Sequence, residues 1–155
     1  MMGNSFEYPE DRLLRIQGIV PEELLSDLGT HKKNEKKNEH QGLTVLKDGG
    51  STGLTIGHVT GMESFIRTEG GIQSIELAVY NVDRSKPFSK TGDSGSLVVD
   101  GSGRMVGLLH AGTRKKRSLQ NEDSGVDVTY VTPMYWLQPR VKEWYRHADF
   151  DCYTW

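Results

Sequence analysis

From Leu43 onward, apolar and polar residues alternate with a period of two, and turn-forming residues interrupt the pattern at short intervals. This is the signature of half-buried β-strands. It predicts a short strand over Leu43–Leu46, a turn at Asp48–Gly53, and a second strand over Leu54–Val59 that ends in a turn at Thr60-Gly61. A third strand is expected over Ile72–Val82, with Ile75, Leu77 and Val79 on one face. Leu97–Asp100 and Met105–Ala111 form a hairpin across Gly101-Ser102-Gly103, and Val126–Val131 is the last strand.

The period then changes. Met134, Leu137, Val141, Trp144, Tyr145 and Ala148 fall on one helical face, which reads as a packed stripe, and Pro139 is expected to kink or divide this helix. Upstream, Pro21–Gly29 reads as a short helix, with Pro and two acids in its first turn and Gly29 to close it. Residues 31–42 hold no apolar side chain, so they read as a solvated linker. The order of six or seven short strands followed by a helix fits an antiparallel barrel closed by a helix. The expected division is 1–42, an N-terminal segment with a short helix and charged linker, and 43–155, the barrel with its terminal helix.

Composition narrows the class. A length of 155 residues suits one domain, and 35% hydrophobic with 26% charged residues suits a globular fold. The net charge of −2 gives no global attraction to nucleic acid or to an anionic membrane. The basic run Arg114–Arg117 reads as a solvated loop, so nucleic acid is disfavoured as a partner. No apolar run reaches membrane-spanning length, and no membrane partner is expected. The single cysteine, Cys152, allows no intrachain disulfide, and no secretory signal is visible at the start. A cytoplasmic location is the resulting expectation. The five histidines lack metal-ligand spacing and no phosphate loop is present, so neither metal nor cofactor is expected.

Candidate chemistry centres on Thr91-Gly92-Asp93-Ser94-Gly95-Ser96-Leu97-Val98-Val99. Glycines on both sides of Ser94 permit a tight turn and close substrate approach. The apolar run that follows would hold the turn rigid. A serine nucleophile needs a positioned base and N–H donors aimed at the developing oxyanion.

Three ordered segments carry a resemblance. Lys47-Asp48-Gly49-Gly50-Ser51-Thr52-Gly53-Leu54-Thr55-Ile56-Gly57 is one, Pro87 to Val98 the second, and Gly107 to Gly112 with Thr129-Tyr130-Val131-Thr132-Pro133 the third. Together they resemble the second β-barrel of trypsin-like serine peptidases, most closely the disulfide-free, intracellular kind found in fungi. The resemblance implies an all-β, six-stranded antiparallel Greek-key barrel with a C-terminal helix. It implies Ser94 as nucleophile, with the N–H groups of Gly92 and Ser94 as the oxyanion hole. Asp93 and Gly95 would support the loop, Asp93 through a buried ion pair whose partner the resemblance does not name. Leu109, His110, Ala111 and Gly112 would pair with an extended peptide or protein substrate. Phe88 would lie at the base of the primary pocket, where an acid would be needed to favour Lys or Arg.

The histidine and aspartate of that family come from a preceding barrel. Only 42 residues precede Leu43, too few for six strands. His31 and His40 lie in the charged linker, while His58, His110 and His147 read as surface, cleft-lining and exposed residues respectively. The expectation is therefore a truncated or split peptidase, inactive alone, with a separate chain as a possible source of the missing barrel. The alternative is a non-catalytic peptide-binding module on the same barrel.

Overall fold

The computed structural model describes residues 14–30, 42–67, 70–82, 86–113 and 128–150. Its six strands are β1 (Leu43–Gly49), β2 (Gly53–Arg67), β3 (Gln73–Asn81), β4 (Leu97–Asp100), β5 (Met105–Gly112) and β6 (Val128–Pro133). Two helices flank them, α1 (Glu22–Thr30) and α2 (Met134–Trp144). All strand pairs are antiparallel, and the barrel closes in the order β1-β2-β3-β6-β5-β4. The long connection after β3 returns β4 to the side of β1, which is the Greek-key arrangement 4-1-2-3. The closed all-β barrel with a C-terminal helix is thus as the sequence indicates.

The barrel's centre holds Val45, Val59, Leu77, Val79, Phe88, Val98, Val106, Leu109 and Val131. Branched side chains dominate it, as suits inward positions of a small barrel. Val20 and Leu25 join the same core. Residues 17–20 reach it by running beside β5: Gln17 N–H donates to Gly103 O, Val20 N–H to Met105 O, and Met105 N–H to Gly18 O. The stretch before α1, which carries no clear pattern, is therefore an added strand-like staple on β5. The linker positions 31–41 lie outside the described residues.

Three local expectations are corrected. Thr60-Gly61 is not a turn, because β2 runs on to Arg67. Pairing shifts between Val59 and Glu63, and Gly61 takes φ 76°, so the glycine bends a long strand at a bulge rather than ending it. Pro139 does not divide α2, which continues through it to Trp144. The position is exposed, so the Tyr135 carbonyl left without its helical N–H can turn to water. The stripe on α2 is not packed along its length either. Met134 is buried, but Trp144 is 85% and Tyr145 70% exposed, because only the first turns of the helix lie against the barrel.

Candidate active site

Ser94 lies on the turn between Phe88 and β4, and the residue itself is exposed. The side chain of its neighbour Asp93 is turned the opposite way and is completely buried. Asp93 Oδ1 accepts the N–H groups of Ser51 (2.8 Å) and Thr52 (3.1 Å). Its Oδ2 accepts the Thr52 hydroxyl (2.7 Å) and the Lys90 N–H (2.8 Å). The β1–β2 turn thus clasps the serine loop from below. Ser51 Oγ completes the clasp by donating to Thr91 O at 2.8 Å.

The cation is Lys47. Its Nζ stands 3.6 Å from Asp93 Oδ2, and neither side chain is exposed. Lys47 also donates to Thr52 Oγ1 and to Gly53 O, and it lies 5.7 Å from the centroid of the Phe88 ring. Burial pulls the lysine pKa down from its ordinary value, and the Asp93 charge only partly restores it. For Asp93, burial pushes the pKa up. The Lys90 N–H, the Thr52 hydroxyl and the Ser51 and Thr52 N–H groups more than reverse this, so the carboxyl is held well below the usual range. Asp93 is therefore ionised, with hydrogen bonds on both oxygens. Lys47 had a legible signal in the sequence: it follows Leu43 and Val45 at period two, so it lies on a strand's inward face. A lysine there requires a buried acid.

The loop's own N–H groups divide into two sets. Asp93 N–H donates to Lys90 O, Gly95 N–H to Leu109 O and Ser96 N–H to Asp93 O. Among the described residues, no backbone carbonyl takes the N–H of Gly92 or of Ser94. Gly92 has φ 101°, and a Cβ there would collide with Ser51 Oγ. Gly95 also has positive φ.

Strand β5 brackets the loop. Leu109 accepts from Gly95 and donates its N–H to Ser96 O at 3.0 Å, while its side chain lies in the core. Pairing to β6 shifts between Leu109 and Ala111, which makes His110 the extra residue of a bulge and turns it to the exterior. No hydrogen bond joins His110 to Ser94 among the described residues. Beyond Leu108 no described partner from β4 covers this side of β5, since β4 begins at Leu97 opposite Leu108. Among the described residues, Ala111 and Gly112 pair with Tyr130 and Thr129 of β6 alone. Beside Gly112, Ser89 Oγ and Thr129 Oγ1 share a 2.7 Å hydrogen bond. Phe88 is 1% exposed, and its carbonyl accepts from Thr55 Oγ1. The described residues contain no group of three or more His, Cys, Asp or Glu able to hold a metal ion.

A closed six-stranded antiparallel barrel thus carries the Gly-Asp-Ser-Gly turn on a buried acid, and the family match makes it a peptidase-related domain. The model of Peptidase family S64 matches residues 1–118, and the chain belongs to that family. Among solved structures, a chymotrypsin from Cellulomonas bogoriensis is similar with a TM-score of 0.47 and 19% identity, over 66% of this chain and 47% of that one. The chain thus spans about half the length of that chymotrypsin. No curated protein matches.

Proposed function

We propose that this barrel is the nucleophile-bearing half of a serine endopeptidase. The observation that carries the reading is the division of N–H groups in the loop. Asp93, Gly95 and Ser96 spend theirs internally, while those of Gly92 and Ser94 meet no acceptor among the described residues and stand beside an exposed serine. Two such donors suit the oxyanion of a tetrahedral intermediate. In the reaction, Ser94 Oγ attacks the scissile carbonyl carbon as a base removes the hydroxyl proton. The carbonyl π electrons move to the oxygen, which the Gly92 and Ser94 N–H groups stabilise. Collapse then expels the amine, protonated by the same base, and leaves an acyl-serine for water to release.

The substrate fits as an added strand. The side of β5 over His110–Gly112, which no described strand covers, offers backbone groups to an extended peptide, which is strand addition to a sheet edge. Phe88, apolar and buried in the barrel core, gives no acid to attract Lys or Arg. The base comes from outside the described barrel, either from a further segment or from a separate chain, since no described side chain hydrogen-bonds Ser94. That same fact favours the second reading, a peptide-binding module without catalysis.

Fluorophosphonate labelling separates the two. Covalent label on Ser94, abolished by Ser94→Ala and by unfolding, is the expected result for the chain purified with its native associates. Absence of label from every such preparation overturns the peptidase reading. Peptide capture that survives Ser94→Ala is then the mark of the binding module.

A further inference from the structure

We propose that the hydroxyl pair Ser89–Thr129 selects the substrate, so that the residue supplying the attacked carbonyl carries an uncharged carboxamide, Gln or Asn. The proposal rests on reading Ser94 as the nucleophile. Ser89 and Ser94 stand at the two ends of one turn, which the Asp93 N–H closes on Lys90 O at 3.0 Å. Thr129 pairs with Gly112 on one side and with Val79 on the other, and it is 2% exposed. Its Oγ1 and Ser89 Oγ are 2.7 Å apart. Gly112 is exposed and has no side chain, and a Cβ placed on it would come within 3.6 Å of Ser89 Oγ and 4.0 Å of Thr129 Oγ1. A peptide added along β5 can therefore pass a side chain over Gly112 to both hydroxyls, beside the turn that bears Ser94.

The hydrogen-bonding capacity of the pair sets the chemistry it can recognise. Two hydroxyls bring two protons and four lone pairs, and their mutual bond uses one of each. Among the described residues, each hydroxyl has the other as its partner and no further one. One O–H donor and three lone pairs are left over, at a place where Thr129 is buried. A carboxamide matches that remainder, because its oxygen accepts the spare O–H and its NH2 donates to a lone pair. An apolar side chain would leave the spare donor unsatisfied and shut away from water, which costs on the order of tenfold or more in binding. A carboxylate brings only acceptors to a single O–H, and an ammonium gains no counter-charge from two hydroxyls, so both charges are poorly served.

Peptidyl phosphonate diphenyl esters test this on the full chain purified with its native associates. Each probe presents one side chain to the pair, that of Gln, Leu, Lys or Glu, and Ser94 Oγ displaces a phenol from its phosphorus. The Gln probe should label Ser94 roughly tenfold to a hundredfold faster than the Leu probe, and faster than the Lys and Glu probes. In Ser89→Ala/Thr129→Val, which removes both hydroxyls at nearly constant volume, the ratio of the Gln to the Leu rate should fall to parity or below. Where that variant does not fold, Ser89→Ala alone should lower the ratio roughly fivefold. An unchanged ratio in the folded variant, or a parent that labels as fast or faster with Leu, Lys or Glu, overturns the proposal. A plain fluorophosphonate, which carries no peptide, keeps the two readings apart. Label from it without a Gln preference removes the selection and leaves the peptidase. No label from any reagent removes the peptidase, and the same side chains are then compared as N-acetyl tripeptide amides, by NMR on the Thr129 methyl group. Tighter binding of the Gln peptide retains the pair as a recognition site, and equal or weaker binding overturns it.

Discussion

Thr52 grips Asp93 twice, with its N–H on Oδ1 at 3.1 Å and its hydroxyl on Oδ2 at 2.7 Å. The contact spans 41 residues and joins the β1–β2 turn to the serine loop. It works only while Asp93 is ionised. An unfolded Asp titrates near ~3.9, and folding depresses this value. The stability that Asp93 contributes is therefore complete above the unfolded pKa and is lost as pH falls through the folded one. Urea titrations from pH 7 downward should show the midpoint dropping below about pH 4, with a shallower drop in Asp93→Asn. An equal slope in both proteins would contradict the role given to Asp93. At neutral pH, Asp93→Ala leaves Lys47 buried and unpaired and should cost about 3–5 kcal/mol.

Gly92→Ala should impair the site more than the fold. Its φ of 101° suits glycine, and a Cβ would strike Ser51 Oγ. The strain is on the order of 1–3 kcal/mol and is confined to an exposed turn. Circular dichroism should show a folded barrel with a lowered thermal midpoint. Any Ser94 labelling should fall much further than the population of folded protein does.

Phe88→Ala should open a cavity in the barrel. The ring belongs to the core and contacts the space above Gly57, where even a Cβ would come within 2.9 Å of Phe88 Cδ2. The expected loss is about 3–5 kcal/mol by chemical denaturation. Phe88→Leu should recover most of it. A loss below about 1 kcal/mol for the alanine variant would show that the ring does not fill the core as described.

Tyr135 should ionise well above the usual tyrosine range. Burial first, then the Glu63 charge and the 3.2 Å hydrogen bond to Glu63 Oε1, push its phenol up to about 12. A raised pKa means that its contribution to stability holds below the unfolded value near ~10 and fades as pH rises through the folded one. Ultraviolet titration of the folded chain should show one late phenolate transition, which Tyr135→Phe removes.

The barrel strands were legible because short apolar runs, alternating in burial most clearly in β6 and in the first half of β2, are separated by glycine turns between β1 and β2 and between β4 and β5. The serine loop was legible because its tight turn uses glycine on both sides of Asp93-Ser94, each at positive φ. The length of β2 was not, since Gly61 serves a bulge as readily as a turn, and local sequence does not say which. The exposure of Trp144 and Tyr145 was not legible either: helical spacing says which residues share a face but not how far a neighbour extends to cover it.

By itself, the sequence determined most of the strands, the two helices, the barrel class and the loop that bears Ser94. These follow from periodicity and from backbone geometry open to few residue types, both of which act over short stretches of chain. Only the tertiary structure decided that Asp93 answers to Lys47, that Thr52 and Ser51 hold the loop, and that residues 17–20 staple β5. Those choices are made when burial removes water from a lysine and a carboxylate far apart in sequence and sets the two charges against each other.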